Sequence, residues 1–239
     1  MTARTVPAAA STWVAGRLRG PRRSYPVVAV GPHAVYVDVH GDCVGVVARD
    51  AVALPIGLRT TLDRLPDIKG PVNVGQGRVW FDEYAVAVTR IVDPGVPRLG
   101  PLPAWSTPVP VDLPASALRA LAAAEASAAL ELLGRGDGLT PSGDDVLAGW
   151  LVARHTTGRP SGEVGAAVAT HAADRTTSLS ATLLGRAIVG EAIPQCRDLL
   201  TALHAGAGVD GALAALLAVG HTSGAALAAG ISLGLEDAA

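Results

Sequence analysis

The amino-acid sequence predicts an α+β protein, with a small β-sandwich or barrel-like domain first and an all-α domain rich in alanine and glycine after it. Three observations point to this fold class. Short β-branched runs separated by turn residues fill the first part of the chain. A proline-rich stretch follows them, and long apolar segments of helical composition come last. We therefore expect a β-rich domain over residues 1–93, a connector over 94–114 and an all-α domain over 115–239.

Strands are expected where valines and other β-branched residues form short runs between turn residues. Val35, Val37 and Val39 alternate with less apolar residues, which is the period of a strand with one buried face. Glycine, proline, histidine and aspartate separate the runs and favour turns. The expected strands are Val27–Val30, Ala34–Val39, Cys43–Ala48, Arg78–Phe81 and Tyr84–Arg90. This many short strands predicts a small sandwich or barrel.

Helices are expected only later, because seven prolines lie between Pro94 and Pro114 and disfavour both helix and regular sheet. Beyond them, segments rich in alanine and leucine have high helix propensity. The expected helices are Ala115–Leu133, Asp145–Thr157, Gly162–Ala173, Thr176–Val189, Pro194–Ala205, Gly211–Val219 and Gly224–Leu233. The last two contain no acidic residue, lysine or arginine, but the polar turn between them favours a buried helix pair over a membrane span.

Composition argues against several classes of partner and compartment. The net charge of −2 supplies no positive field, so we expect neither a nucleic acid nor a membrane surface as a partner. Cys43 and Cys196 cannot form a disulfide framework, and their spacing is not that of metal ligands. The first residues lack the apolar core of a secretory signal. These features predict a cytoplasmic protein.

The densest cluster of glycine and polar residues stands just before the helix expected at Asp145. It reads GLTPSGDD from Gly138 to Asp145. Ser142 or Asp144 can cap the helix, and acidic residues in a first turn complement the helix dipole. Capping needs only one such residue, whereas hydroxyls, backbone N–H groups and two carboxylates together can hold an anion or a metal ion. The motif therefore predicts a binding site, with capping alone as the alternative; its residues are Gly138, Thr140, Ser142, Gly143, Asp144 and Asp145.

A second entrance to a helix repeats part of this motif. Ser142–Gly149 and Ser223–Gly230 share four of eight residues, and each places a glycine seven residues after its serine. We expect two matched loop-to-helix entrances that face one pocket, with Thr222, Ser223 and Gly224 as binding residues of the second. His221 precedes them and has either a structural role or a role in proton transfer.

A third polar cluster lies near Arg175. Thr176 and Ser180 are four residues apart, so they are expected to share a helix face. The Arg175 guanidinium offers a planar fork of donors that suits a phosphate or a carboxylate. Two interpretations stay open: an anion clamp made of Arg175, Thr176 and Ser180, or a solvated first helical turn capped by Asp174.

These motifs together resemble one protein family. GLTPSGDD, the pair of Thr176 and Ser180, and GHTSG before a last apolar helix are similar to the AllH-type family, formerly known only as a domain of unknown function. The family is associated with the AllH subunit of oxamate carbamoyltransferase, from bacterial allantoin catabolism and thus purine degradation. The resemblance extends over most of the chain, including the β-rich first half. The chain departs from the family at Ala226, where an aspartate often stands.

The resemblance implies transfer of a carbamoyl group between phosphate and the amide nitrogen of oxamate, by an enzyme that needs partner subunits. Thr140 and Ser142 are expected to donate to phosphate. Asp144 or Asp145 is expected to take the proton of the attacking nitrogen, or to bind Mg²⁺ or another divalent cation. His221 is expected to assist the proton transfer. Fixed donors at the helix entrances would stabilise the tetrahedral oxyanion.

Three kinds of function stay open at the level of sequence. The first is a carbamoyltransferase subunit acting on oxamate, oxalurate or a related small anion, which the intact GLTPSGDD favours. The second is a non-catalytic or regulatory subunit that binds a small anionic metabolite such as phosphate, carbamoyl phosphate or an oxamate-like anion, which Ala226 favours. The third is a structural scaffold. The small-residue helices suit assembly with partner subunits or a homodimer.

Overall fold

The computed structural model describes residues 3–68, 70–106 and 109–236, and the chain forms two compact units. The first unit ends at Pro94 and the second begins at Gly95. Strands dominate the first unit and helices make up the second. The predicted α+β fold class, with a β-rich part followed by an all-α part, is therefore confirmed.

The first unit is a mixed sheet that curls into a nearly closed barrel. Within the described residues its strands are β1 (Arg4–Ala10), β2 (Arg23–Tyr25), β3 (Val27–Val30), β4 (Ala34–Val39), β5 (Asp42–Val47), β6 (Gly57–Thr60), β7 (Val72–Gly75), β8 (Arg78–Phe81) and β9 (Tyr84–Ile91). The strand order is β2-β7-β8-β9-β1-β6-β5-β4-β3. β1 is parallel to β9 and β5 is parallel to β6, whereas the other neighbours are antiparallel.

Alternating apolar side chains fill the interior of this sheet. Val35, Val37 and Val39 of β4 are all buried, as their spacing predicts. The short helix α1 (Thr12–Arg17) and the residue after it add two fully buried side chains, Val14 and Leu18. These residues belong to one continuous hydrophobic core within the first unit.

The sequence does not predict β1, β2, β6, β7 or α1. β1 is the clearest case, because Pro7 and three consecutive alanines are poor strand formers. This segment becomes a strand because it pairs with β9 on one side and β6 on the other. Pairing between strands that are far apart in sequence leaves no local signal.

The second unit is built from helices packed through small residues. Within the described residues they are α2 (Ala115–Ala122), α3 (Ala126–Leu132), α4 (Ser142–Thr157), α5 (Gly162–Arg175), α6 (Ser178–Ile188), α7 (Pro194–Ala205), α8 (Val209–Leu217) and α9 (Ser223–Leu235). Most residues of α4 are buried, including the whole side chain of Trp150. None of the described helices is long and apolar enough to cross a membrane.

Several helix boundaries differ from the predictions. The single helix expected from Ala115 is two helices, because Ala124 adopts a left-handed conformation with φ of 58° and breaks it. α4 begins at Ser142 instead of Asp145, so the predicted capping by Ser142 or Asp144 is wrong and Pro141 holds the N-cap position.

The start of α6 also differs from the expected helix at Thr176. Thr176 lies before α6, so the prediction that Thr176 and Ser180 share a helix face is wrong. Thr177 caps this helix by accepting a hydrogen bond from the Ser180 N–H at 3.0 Å, which is the role that one of the two open interpretations gave to Asp174.

Much of the proline-rich segment packs on the helices of the second unit. The Val96 N–H donates to the Gly190 carbonyl at 2.8 Å, and the Leu99 N–H donates to the Thr156 carbonyl at 2.9 Å. Leu102 is buried. Thr107 and Pro108, which fall in the expected connector, lie outside the described residues.

Candidate functional site at two helix entrances

Helices α4 and α9 are in direct backbone contact. A Cβ atom placed on Gly149 would overlap the carbonyl oxygen of Leu227, and one placed on Gly230 would overlap the carbonyl oxygen of Val146. The two contacts are reciprocal, since Gly149 and Gly230 occupy the same position in the sequence repeat. Only glycine allows this approach, so the repeat marks the point where the two helices cross.

The hydroxyl groups of the two entrances meet. Thr140 Oγ1 and Ser223 Oγ are 3.2 Å apart and share a hydrogen bond. Ser142 Oγ donates to Thr222 Oγ1 at 3.4 Å. Each bond joins residues that are about 80 positions apart in the chain. The structure thus places the two entrances side by side, as the repeat predicts.

The two helices run in the same direction from this junction. Ser142 and Thr222 meet at their starts, and the Cβ position of Gly234 lies 2.8 Å from the Ala153 side chain near their ends. Parallel helices with adjacent N-termini add their dipoles, so partial positive charge accumulates at the hydroxyl cluster. Thr222 is exposed and the other three hydroxyl residues, Thr140, Ser142 and Ser223, are partly exposed, which leaves this charge accessible to a dissolved anion.

Gly143 and Gly224 have a packing role at the two entrances. The Cβ positions of these glycines are filled by the carbonyl oxygens of Leu132 and Leu216, which lie in the last turns of the preceding helices. The Gly143 N–H also donates to the Arg135 carbonyl at 2.8 Å. These packing contacts explain why both positions need glycine, even if no ligand binds there. The predicted binding role of Gly143 and Gly224 therefore stays untested.

Asp144 points into the protein and is only 1% exposed. Its Oδ1 accepts a hydrogen bond from the Gly134 N–H at 2.8 Å, and its Oδ2 accepts bonds from Ser180 Oγ at 2.7 Å and from Thr176 Oγ1. Burial raises the pKa of this carboxyl above its usual range, and the three hydrogen bonds act in the opposite direction. Asp144 therefore ties the loop before α4 to the turn between α5 and α6.

Asp145 is the second acid of the motif and is 7% exposed. Its Oδ2 has no hydrogen-bond partner among the described residues. Burial raises the pKa of Asp145 to about 7, with a smaller contribution from the charge of Asp144, while the Ser223 side chain lowers it. A carboxyl group with a pKa near neutrality can both accept and release a proton under ordinary conditions.

The donor set does not suit a resident divalent cation. Both oxygens of Asp144 already accept hydrogen bonds from the chain. In the part of the chain that the structure describes, no group of three or more histidine, cysteine, aspartate or glutamate side chains is placed to hold a metal.

The remaining predicted residues lie around the junction or are engaged elsewhere. Gly138 is exposed in the loop before α4, with a φ of 89°, and His221 is exposed in the turn before α9. Arg175 donates from Nη1 to the Leu130 carbonyl at 2.7 Å and so fastens α5 to α3. Thr176 and Ser180 bind Asp144, which indicates a structural origin for the third polar cluster.

Sequence reasoning missed one part of this site. The Gly134 N–H is a partner of Asp144, and a Cβ on Gly134 would overlap the Arg175 carbonyl oxygen. The sequence does contain a signal for this residue. A glycine at the end of an apolar helix favours the left-handed conformation that Gly134 adopts, with φ of 73°.

Comparison with known proteins finds a similarity to one family within the helical part of the chain. Residues 132–235 match the family described as oxamate carbamoyltransferase subunit AllH. The matched segment contains both entrances and extends from the end of α3 to the end of α9. It confirms, over these residues, the resemblance noted from the motifs. No curated protein and no solved structure matches the chain significantly.

Proposed function

We propose that the chain is a subunit of a carbamoyltransferase, because residues 132–235 match the family described as oxamate carbamoyltransferase subunit AllH. Its substrates are oxamate and carbamoyl phosphate, or oxalurate and phosphate in the reverse direction, or closely related small anions. The name of the family refers to a subunit, so the active enzyme contains partner subunits as well. The observation that carries the proposal is Asp145, a buried carboxyl with an unpartnered oxygen at the junction of two helix N-termini.

The junction supplies what a small anion needs. Phosphate and oxamate are both anionic, and adjacent helix N-termini attract negative charge. The hydroxyls of Thr140, Ser142, Thr222 and Ser223 lie within one cluster and can turn their protons toward bound oxygen atoms. The same donors stabilise the negative charge that develops on the carbonyl oxygen in the tetrahedral intermediate.

Asp145 moves the proton in the proposed reaction. The amide nitrogen of oxamate attacks the carbamoyl carbon, a C–N bond forms, and phosphate leaves with the electrons of the broken C–O bond. The nitrogen gives its proton to the Asp145 carboxylate, which passes it to the departing phosphate. His221, exposed at the mouth of the second entrance, assists this proton transfer.

Asp144 acts as a positioning residue in this proposal. Its hydrogen bonds to Gly134, Thr176 and Ser180 hold the loop that carries Thr140 and Ser142. The Ser142 and Thr140 hydroxyls keep their places only while this loop is fixed. Asp144, Thr176 and Ser180 thus contribute to binding through the loop and not through contact with the substrate.

The proposal predicts that Asp145→Asn lowers kcat about 10²-fold when the chain is assayed with its partner subunits, because general acid–base catalysis contributes at least this much. The ionised carboxylate is the base that takes the nitrogen proton. With oxamate and carbamoyl phosphate, the rate therefore rises with pH through the Asp145 pKa of about 7. The variant should lack this limb of the pH profile.

The matched control is Asp137→Asn, which changes an exposed acid of the same loop. This variant should keep both the rate and the pH profile of the unmodified chain. Full turnover in Asp145→Asn, or a limb near pH 7 that survives the substitution, would falsify the catalytic role of Asp145.

A non-catalytic anion-binding or regulatory subunit is the second candidate. Ala226 favours it, since this apolar side chain is fully buried where the family often has an aspartate. Calorimetric titration of the chain, assembled with its partner subunits, with phosphate, carbamoyl phosphate and oxamate separates the candidates. Binding together with unchanged turnover in Asp145→Asn identifies the regulatory subunit, whereas the absence of any binding identifies a scaffold and rejects both.

A further inference from the structure

A polar cavity lies at the end of α4 that is far from the hydroxyl cluster of the junction. Its volume is about 270 Å³ and eight residues line it, of which Arg98, His155 and Arg159 are basic. An α-helix rises 1.5 Å per residue, so His155 lies about 20 Å along α4 from Ser142. The cavity is therefore separate from the hydroxyl cluster and has no part in the proposed transfer reaction.

Backbone contacts hold the segments that carry the basic side chains in place. The Leu99 N–H donates to the Thr156 carbonyl. This bond fixes the residue that follows Arg98 to the end of α4. The ring of His155 packs against Gly190, where any Cβ would overlap it. Arg159 donates from Nη1 to the Glu236 carbonyl at 2.9 Å.

The positive groups lie close enough to disturb each other. Burial lowers the pKa of His155, and the charge of Arg98 lowers it further. Burial likewise lowers the pKa of Arg154, and Arg159 adds to the effect. An anion bound between these groups would relieve their repulsion and gain charge-assisted hydrogen bonds. The dipole of α4 accounts for basic residues in its last turn, but not for Arg98, which comes from another segment.

The rest of the lining sets the kind of anion that fits. Leu151 and Ile188 present apolar surface, and Ser161 adds a hydroxyl. The volume lies just below the range of about 300–1,000 Å³ that is usual for ligand pockets. A ligand with one anionic group and a short carbon chain matches both the lining and the volume of the cavity.

We propose that this cavity binds a small organic anion, whose carboxylate or phosphoryl oxygens pair with Arg98 and Arg159 and whose carbon chain contacts Leu151 and Ile188. Arg98 supplies the planar fork of donors. The imidazole of His155 lies beside the anionic group, so its NMR resonance shifts when the anion binds.

Nuclear magnetic resonance of the histidine side chains tests the proposal at fixed pH. The His155 resonance is assigned with His155→Gln, and the full chain is titrated with butyrate and, separately, with inorganic phosphate at constant ionic strength. The His155 signal should shift saturably with at least one of the two anions. A response to butyrate alone identifies a carboxylate ligand, and a response to phosphate identifies a phosphoryl group.

Two variants establish that Arg98 makes the site. Arg98→Gln should weaken binding about tenfold, and Arg98→Lys, which keeps the charge but not the fork, should weaken it about threefold. Arg119→Gln removes the same charge from an exposed position of α2 and should leave binding unchanged. A linear, unsaturable response, or equal weakening in Arg98→Gln and Arg119→Gln, overturns the proposal.

Discussion

Asp144→Ala should lower the free energy of unfolding of the helical unit by about 4 kcal/mol, the largest effect of any single substitution considered. The substitution removes the acceptor of three hydrogen bonds, from Gly134, Thr176 and Ser180. A buried donor that loses its acceptor costs about 1–3 kcal/mol, the partly buried Gly134 and Thr176 cost less than Ser180, and rotation of the two hydroxyls recovers a part. Urea titration followed by circular dichroism at 222 nm measures the loss, because the helices dominate that signal.

Asp174→Ala is the control for this prediction. It removes an exposed acid near the end of α5, and a surface substitution of this kind changes stability by about 0.5 kcal/mol or less. A loss below about 1 kcal/mol in Asp144→Ala would contradict the hydrogen-bond network as described.

Gly230→Ala should destabilise the same unit by about 3 kcal/mol. The added methyl group meets the backbone carbonyl of Val146, which cannot rotate away as a side chain can. The helices α4 and α9 must therefore move apart along their whole contact, and the junction at their N-termini opens. The same titration measures this effect.

Gly185→Ala is a control for which the expected change in the free energy of unfolding has the opposite sign. Gly185 lies inside α6, is exposed, and has no heavy atom within 4 Å of its Cβ position. Alanine in a helix interior is more favourable than glycine by about 0.5–1 kcal/mol, so this variant should be more stable. If both variants changed stability in the same direction and by similar amounts, the close helix crossing would be wrong.

The main feature of the site follows from the sequence because it depends on a repeat. Ser142 and Ser223 each begin a helix, and each is followed by a glycine at the same distance, Gly149 and Gly230. Helices that share such a pattern can cross at their glycines, and this crossing brings their entrances together. The structure places the two serines at neighbouring helix starts, in agreement with that inference.

The different environments of Asp144 and Asp145 do not follow from the sequence. Adjacent residues on a helix point about 100° apart, and the sequence does not tell which of the two side chains meets the turn between α5 and α6. The turn that carries Thr176 decides this, and it comes from a segment more than 30 residues away. The cavity near Arg98 was missed for a similar reason, since Arg98 belongs to a segment that was expected to be a connector.

The most direct test of the central claim is a disulfide between the two entrances. In Thr140→Cys combined with Ser223→Cys, the sulfur atoms replace two oxygens that lie 3.2 Å apart. A second variant, Thr140→Cys with Ser161→Cys, places the second thiol beyond the opposite end of α4 and is the control. Cys43 and Cys196 are buried and are not expected to react.

The cross-link is measured by peptide mapping after mild oxidation of the folded protein. The account predicts that a disulfide joins positions 140 and 223 in nearly all molecules, while the control pair stays reduced. If the thiols at 140 and 223 both remain free under conditions that oxidise an exposed dithiol, the two helix entrances do not meet and the shared anion site does not exist.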